Sequence, residues 1–296
     1  MENLTESLLL QLRMLSDVTR MRLVALCREG ECSVSELTGV IRQSQPRISQ
    51  HLKQLCAAGL LGRFRDGKKV YYRVPARNST TTRQLLQLVP GEDPLFREDR
   101  LRLHQLRGEG LDRATPALAR DIAADRAIHR ALIELTVSAS LGDLLDVGCG
   151  RGSILKLLAS RAHRAVGVDI DADLRQLARA ELMLAGIPNC SLRQGDMYRL
   201  PFDDAEFDTV VLDDVLALAE RPVAVLLEAK RLLKTRGRLL VLLAVGSKPV
   251  AVLQKSVAEW SAAAGLRLAP SRTAPKKNPA WLLAVATAAG NSTVAA

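Results

Sequence analysis

The sequence has 296 residues, a hydrophobic share of 48% and a formal net charge of +10. This length leaves room for two domains, and the hydrophobic share is enough for each to form its own core, which excludes a disordered chain. Aromatic residues make up only 3% of the sequence, so a pocket lined by many aromatic rings is not expected. The positive charge points to an anionic partner.

The five cysteines are scattered and odd in number, and none of them has the C-x-x-C spacing. Neither a disulfide framework nor a zinc site is therefore predicted. The longest apolar run, 239–245, is far shorter than a membrane span, and no basic region precedes the leucines near the N-terminus. We expect a cytoplasmic protein with no metal and no membrane anchor.

The first predicted elements are helices. Apolar residues recur at three- and four-residue spacing in 6–15 and 18–28, which is the pattern of helices that bury one face. Ser33 or Ser35 can cap a third helix that runs through Val40.

A fourth helix follows, which Ser44 opens with Pro46 in its first turn, and it ends at Gly59. Its spacing predicts one buried face, formed by Ile48, Leu52, Leu55 and Cys56. The opposite face is predicted to hold Gln45, Arg47, Ser49, Gln50 and Lys53. A helix that is merely solvated on one side would show the same pattern.

Residues 60–74, LLGRFRDGKKVYYRV, alternate apolar and charged residues around Asp66 and Gly67. This dipeptide suits the tight turn of a hairpin. Positions 63–77 contain six cationic residues and one acidic residue, Asp66, which gives a local charge of +5. The cationic residues are Arg63, Arg65, Lys68, Lys69, Arg73 and Arg77. A polar-faced helix followed by a basic hairpin is the order of a winged helix-turn-helix.

Residues 8–75, and SQPRISQHLKQLCAAGLLGRFRDGKKVYYRV in particular, resemble the ArsR/SmtB family of dimeric bacterial repressors. The resemblance implies a double-stranded DNA operator as partner and a homodimer. It places Ser44, Gln45, Arg47, Ser49 and Gln50, with Lys53 on the same face, toward base edges or nearby phosphates. It also assigns salt-sensitive backbone contacts to Arg65, Lys68 and Lys69.

Many members of that family sense metals through a Cys-x-Cys pair, but this chain has Ser33 and Ser35 at those places. A rearranged thiol site of Cys27 and Cys32 stays an alternative, although lone cysteines usually only pack in cores. A second family metal site uses acids and histidines from the dimer helix. The candidates here, His104 and Asp99, are expected to be solvated.

Residues 78–137 are predicted to be a helical dimerisation and linker region. A short helix is expected over 81–89 and a second, capped by Asp93, over 94–107. Helical structure over 112–137 then leads into the next domain.

From 144 onward, predicted strands and helices alternate, which indicates an open parallel sheet with crossover helices. The strands are predicted at 144–147, 165–169, 191–194, 209–212 and 238–244, and Trp281–Ala288 is expected to complete a seven-stranded sheet.

The turn after the first of these strands reads LLDVGCGRG. Asp169 ends the second strand 21 residues after Gly148, where a carboxylate can accept hydrogen bonds from a ribose diol, and Asp196 ends the third. Asp146 precedes the glycines. It would repel a phosphate but attract a sulfonium or an amino group.

DVGCGRG, VGVDID, GDMYRLPFDDAEFDTVV and EAKRLLKTRGRLLVL together resemble class I S-adenosylmethionine-dependent methyltransferases. The resemblance implies an adenosyl cofactor, S-adenosylmethionine or S-adenosylhomocysteine. It places Asp146, Gly148 and Gly150 around the methionine moiety, Asp169 on the ribose, and Asp196 with Met197 on the adenine. Cys149, Ile170 and Asp213 belong to the same predicted set.

Residues on the acceptor side give less information. The stretch LDDVLALAERP carries no histidine or aromatic residue, and AVGSKPV is too short for a large cap over a substrate. Asp213 and Asp214 can contact an amine, but we expect them to be solvated. No catalytic residue is assigned.

The expected fold is α/β, with an N-terminal winged helix-turn-helix over 1–77, the helical region over 78–137, and a Rossmann-like methyltransferase domain over 138–290. The expected function is that of an ArsR-type transcription regulator whose C-terminal domain senses the adenosyl ligand or methylates a small molecule. One alternative is an active methyltransferase with an accessory winged-helix module. Another is a metal-responsive repressor.

Overall fold

The computed structural model describes residues 4–75, 78–113, 126–137 and 140–288. The chain forms two compact units. The first comprises Met1–Ala117 and Arg179–Ser191, and the second comprises Leu118–Ala178 and Leu192–Ala296. No helix within the described residues combines the length and the apolarity that crossing a bilayer requires.

The first unit is a winged helix-turn-helix, as the sequence predicts. Its helices are α1 (Leu4–Leu15), α2 (Val18–Glu29), α3 (Val34–Ile41), α4 (Gln45–Ala57), α5 (Thr80–Gln87) and α6 (Pro94–Arg113). Its strands are β1 (Cys32–Ser33), β2 (Gly62–Asp66) and β3 (Lys69–Arg73), which pair antiparallel in the order β1-β3-β2. The four predicted N-terminal helices and the hairpin are confirmed to within a few residues.

Side chains fix where α3 begins. The Ser33 hydroxyl accepts a hydrogen bond from the Glu36 amide, and the Glu36 carboxylate accepts one from the Ser33 amide. This capping box satisfies donors that a helix start leaves unpaired. Leu37 on α3 then packs with Leu23 of α2 and Leu52 of α4 in the buried core of the unit.

The hairpin turns one residue later than the sequence predicts. Asp66 pairs with Lys69 across the strands, so the two turn residues are Gly67 and Lys68 rather than Asp66 and Gly67. Gly67 has a φ of +58°, a left-handed conformation that glycine adopts without steric cost. Asp66 is buried and remains a strand residue. Arg77, the last cation of the predicted basic stretch, lies outside the described residues.

Two arginines hold α6 to the rest of the first unit. Arg22 of α2 donates to both carboxylate oxygens of Asp99, at 2.6 and 2.7 Å. Arg107 of α6 donates to the Glu36 carboxylate at 2.7 Å and to the Glu31 carbonyl. The prediction that Asp99 is solvated is therefore wrong, because it is 1% exposed and fully paired.

The second unit holds a large, mostly parallel sheet. Its helices are α7 (Arg126–Thr136), α8 (Ser153–Leu158), α9 (Ala172–Leu184), α10 (Val215–Leu218), α11 (Pro222–Leu232) and α12 (Val250–Ala263). Its strands are β4 (Asp143–Val147), β5 (Arg164–Asp169), β6 (Cys190–Gln194), β7 (Phe207–Asp213), β8 (Leu233–Ala244), β9 (Leu266–Leu268), β10 (Arg272–Ala274) and β11 (Trp281–Ala288). Both α9 and β6 run across the division between the units.

The sheet order is β10-β11-β8-β7-β4-β5-β6, with β9 paired to β11. Strand β4 is parallel to β5 and to β7, and β7 is parallel to β8, while β11 is antiparallel to its neighbours. Within the described residues this sheet has eight strands, one more than predicted, because the segment after α12 supplies three of them. Of the helical stretch predicted over 112–137, α7 is observed, and 114–125 lies outside the described residues.

The strands in the middle of this sheet are buried on both faces. The neighbours Leu144 and Leu145 of β4 point to opposite faces, as do Val210 and Val211 of β7, and all four are fully buried. Such continuous burial is typical of parallel strands covered by helices on both sides. The carboxyl ends of β4, β5 and β7 consequently share one edge of the sheet, which is where ligands bind in this architecture.

Candidate functional site

The glycine turn after β4 is shaped for close approach. The Gly148 and Cys149 amides donate to the Val168 carbonyl at 2.8 and 3.0 Å, which ties the turn to the end of β5. Gly148 has a φ of +76°, and a Cβ built on it would lie 2.3 Å from Val215 Cγ1. Only glycine fits there, because any side chain would be strained and would collide with α10.

Asp169, at the end of β5, is held in one orientation by backbone donors. Its Oδ2 accepts from the Gly150 amide at 2.8 Å, and its Oδ1 accepts from the Asp171 amide at 2.9 Å. Each carboxylate oxygen keeps a second lone pair, so the group can still accept from a ligand diol. Ile170 beside it is 71% exposed, an apolar side chain available to cover a flat ring.

Asp146 is the most unusual residue of the second unit. Its side chain is completely buried, and neither carboxylate oxygen has a hydrogen-bond partner. Burial raises the pKa of Asp146 well above its ordinary value, and the nearby charges of Asp213 and Asp169 raise it further. Buried polar groups normally have partners, so an unpaired carboxyl at the ligand edge of a sheet indicates a missing donor or cation.

The remaining predicted residues extend the site along the sheet edge. Asp196 is exposed, and its Oδ1 accepts from the Tyr198 amide at 3.0 Å in a tight turn after β6. Met197 is half-buried against the core of the second unit. Asp213 is half-buried at the end of β7 and its Oδ1 is shielded from solvent, so the expectation that it is solvated is wrong. Asp146, Asp169 and Asp213 thus form one electrostatic cluster, and Asp196 is not among the charges that shift the pKa of Asp146.

Sequence reasoning missed the role of Asp214. The expectation that it is solvated is wrong, because its Oδ1 accepts from the Ala244 amide at 2.9 Å and its own amide donates to the Leu242 carbonyl at 2.9 Å. Asp214 therefore joins the ends of β7 and β8. Asp214 has a positive φ of 57°. Aspartate adopts this left-handed conformation more readily than most residues, so the residue type was the signal in the sequence for a turn at this position.

These features fit S-adenosylmethionine better than a phosphorylated nucleotide. Asp146 and its acidic neighbours favour a sulfonium or an ammonium, and the oriented Asp169 carboxylate suits a ribose diol. Helix α8, which follows the glycine turn, has only six residues. A pyrophosphate would meet a cluster of carboxylates in this site, and like charges so close are unfavourable.

In the first unit, α4 presents a polar face. Gln45, Arg47, Gln50 and Lys53 are exposed, as is Ser44 at the helix start, and Ser49 is half-buried. Ile48, Leu52 and Leu55 are fully buried, and Cys56 is half-buried. The predicted division of this helix into an apolar and a polar face is the one observed.

The basic hairpin lies on β2 and β3. Arg65, Lys68 and Lys69 are exposed there, as is Arg63. Asp66 is only 6% exposed, and its Oδ2 accepts from Arg179 at 2.7 Å, so the single acid of the hairpin is already paired with a cation outside the hairpin.

The thiols and serines considered for a metal site have structural surroundings. Cys27 and Cys32 are buried in the core of the first unit, and a hydrogen bond with Cys32, together with burial, raises the pKa of Cys27 well above its ordinary value. The Ser33 and Ser35 hydroxyls lie 3.1 Å apart at the start of α3. Within the described ranges, no group of three or more His, Cys, Asp or Glu side chains is arranged to hold a metal ion.

Comparison with known proteins gives matches to both units. The family described as "Bacterial regulatory protein, arsR family" matches residues 17–62. The Arsenic resistance transcriptional regulator ArsR1 of Pseudomonas putida is 42% identical over 94 residues, which cover 31% of this chain and 73% of that protein. The chain belongs to the arsR family of bacterial regulatory proteins. This member carries a second domain, because the family "Methyltransferase domain" matches residues 145–241.

Relatives of the second domain are matched over part of their length. The Nocamycin O-methyltransferase of Saccharothrix syringae is 35% identical over 117 residues, which cover 38% of this chain and 42% of that protein. The chain spans 37 to 62% of the length of three curated methyltransferases that it matches. The crystal structure of the PH0226 protein from Pyrococcus horikoshii has a TM-score of 0.50 at 20% identity and covers 60% of this chain and 97% of its own. That likeness shows the fold.

Proposed function

We propose that this arsR-family regulator binds an operator as a homodimer through α4 and the basic hairpin, and binds S-adenosylmethionine or S-adenosylhomocysteine at the β4, β5 and β7 ends of its methyltransferase domain. The observation that carries the ligand assignment is Asp146, a fully buried carboxyl without a hydrogen-bond partner. An unpaired buried charge is costly. A cationic ligand group removes that cost.

The proposed DNA binding is supported by the different side chains that α4 and the basic hairpin expose. Gln45, Arg47 and Gln50 carry side chains that can read base edges, since arginine pairs with guanine and glutamine with adenine. Lys68 and Lys69 on the hairpin suit phosphate contacts, which position the protein without reading sequence. The salt dependence of binding should therefore reside mainly in the hairpin.

The homodimer is supported by apolar side chains on α1 and after α5. Leu4, Leu9 and Leu12 of α1 are 77, 56 and 45% exposed, and Leu88 is 75% exposed. Helices α1 and α5 are joined by a buried hydrogen bond from Gln11 Nε2 to Thr82 Oγ1 at 3.0 Å. A two-fold dimer uses the same patch on both copies, and pairing through these helices covers the exposed leucines.

The test combines two titrations of the full chain. Duplexes selected from a random library by the protein itself supply the operator, and calorimetry with both adenosyl compounds supplies the ligand affinity. A ligand shifts DNA binding only if it binds two states of the protein with different affinity. Operator affinity measured with and without saturating ligand should therefore differ. Failure of both adenosyl compounds to bind would refute the ligand assignment, and an unchanged operator affinity would refute the sensing role.

A second candidate function, methylation of a small molecule, is favoured by a cavity of about 400 Å³ beside the proposed cofactor site. Its test is the release of S-adenosylhomocysteine in the presence of candidate acceptors, followed by mass spectrometry of the methylated product.

A further inference from the structure

The cavity beside the proposed cofactor site lies in the second unit, where β7 and β8 end. Helix α10 contacts both places. Its first residue, Val215, is the one that a Cβ on Gly148 would strike, and Leu216, Ala217 and Leu218 form part of the cavity wall. One short helix consequently borders both the glycine turn and the cavity.

Most of the side chains that line the cavity are apolar, with Asp214, Ser247 and Lys248 as the polar ones. Leu216, Leu243 and Leu253 are buried, and Trp260 of α12 is half-buried. Leu218 is 78% exposed, so this part of the apolar wall is accessible from solvent. A volume of about 400 Å³ lies near the lower end for small-molecule pockets. The occupant must therefore be small.

Two charged residues line the cavity, and they differ in what they contact. Asp214 accepts the Ala244 amide, which gives it a structural role. Lys248 is exposed in the loop after β8. Within the part of the chain that the structure describes, no carboxylate pairs with its ammonium group. Asp214 and Lys248 thus contribute opposite charges to the lining, and the Lys248 ammonium is the exposed one that a ligand carboxylate can reach.

We infer that this cavity binds a small apolar organic acid, of which an aromatic carboxylate is the simplest type, with the carboxylate paired to Lys248. The inference names the second ligand class of the methyltransferase domain and so rests on the proposed function. Binding of the acid does not require the adenosyl ligand, so the two proposals can fail separately.

The fluorescence of Trp260 reports directly on ligand binding in the cavity. The sequence contains two tryptophans, Trp260 on the cavity wall and Trp281 buried in β11. In a full-length Trp281→Phe variant, emission reports on Trp260 alone. Benzoate and cyclohexanecarboxylate should change this emission in a saturable way at millimolar concentration, and calorimetry on the wild-type chain should give the same affinities. Benzamide and benzylamine, which lack the negative charge, should bind several-fold more weakly.

Two variants locate the interaction. Lys248→Met should weaken acid binding by roughly threefold to fivefold, as expected for one solvent-exposed ion pair, and leave benzamide binding unchanged. Ala217→Phe, which adds a ring at the cavity wall, should lower the affinity of the protein for all the probes. The matched control is Lys255→Met on the exposed side of α12, where the ammonium lies 3.8 Å from Glu259, and it should not change acid binding.

The experimental results distinguish failure of this inference from failure of the proposed function. If benzylamine or benzamide binds as well as benzoate, or if Lys248→Met keeps the preference for acids, the inference is wrong. It is also wrong if no acid binds to protein that binds S-adenosylhomocysteine in the same sample. Protein that binds the acids but neither adenosyl compound would instead overturn the proposed function.

Discussion

Replacing Asp146 with asparagine tests whether the unpaired carboxyl of β4 is a ligand group. The variant keeps the size of the side chain and removes the titratable group from a fully buried position. Burial raises the pKa of Asp146 above that of the unfolded chain, and the charges of Asp213 and Asp169 add to this effect. The folded protein therefore holds this proton more tightly than the unfolded chain does.

The sign of the stability change follows from proton linkage. An unfolded aspartate titrates near pH about 3.9, and below that pH the raised pKa has no cost. As the pH rises through the raised pKa, the folded state loses stability relative to the unfolded state. At pH 8 the ligand-free Asp146→Asn variant should thus be more stable than the wild type, by about 1 kcal/mol or more. Each kcal/mol corresponds to about 2–4 °C in Tm for a chain of this size.

Ligand affinity should change in the opposite direction. A hydrogen bond to a charged group contributes about 1.5–3 kcal/mol, so the variant should bind the adenosyl compounds roughly 10- to 150-fold more weakly. Calorimetry with S-adenosylhomocysteine and differential scanning of the ligand-free protein between pH 5 and pH 8 measure both effects. A variant that is less stable at pH 8 and binds the ligand normally would refute the reasoning.

Asp143, three residues earlier in β4, supplies the control. Its carboxylate lies 3.3 Å from His163 Nδ1, 3.6 Å from Arg164 Nε and 3.4 Å from Lys234 Nζ. Burial alone would raise the pKa of Asp143, but the His163 hydrogen bond and the charges of Arg164 and Lys234 outweigh it and lower the pKa. Its stabilisation is present above about pH 4 and is lost as the pH falls through the lowered pKa. Asp143→Asn should therefore destabilise the protein at pH 7 and leave ligand affinity nearly unchanged.

Further predictions concern the dimer, the DNA and the glycine turn. Leu9→Glu should produce monomers in analytical ultracentrifugation with little loss of helix content, because Leu9 is exposed in the monomer. Arg47→Ala should cost about 1–3 kcal/mol of operator binding, whereas Lys68→Ala should mainly reduce the slope of log affinity against log salt by about 0.9; equal slopes for both would contradict the assignment. Gly148→Ala should lower Tm and abolish ligand binding. Gly150→Ala, with a φ of +51° and open space around its Cβ, should be milder.

The sequence predicts the parts of this structure that depend on local rules. The four N-terminal helices follow from apolar spacing and from caps such as Ser33. The strand ends follow from short buried runs that stop at Gly148 and Asp169. These features depend on residues within a few positions of one another, so periodicity and turn chemistry are enough to find them.

Contacts between distant segments could not be predicted in this way. Asp99 lies in a helix rich in charges of both signs, which is the pattern of a solvated helix, yet its partner Arg22 is 77 positions away. Asp214 presents the same difficulty, since it binds the Ala244 amide of another strand. The cavity at Lys248 and Trp260 is likewise formed by segments that meet only after folding.

Strand β4 shows how such contacts distinguish a structural residue from a functional one. Asp143 and Asp146 stand on either side of two leucines, and by residue type and neighbours they are alike. At the amino end, three basic side chains satisfy Asp143. At the carboxyl end, Asp146 has no partner and two acidic neighbours. A group that destabilises the ligand-free protein breaks the consistency expected of a folded core, and such violations concentrate at functional sites. Ligand binding stabilises the folded state by mass action, so a cation at Asp146 would offset locally the cost of burying this carboxyl without a partner.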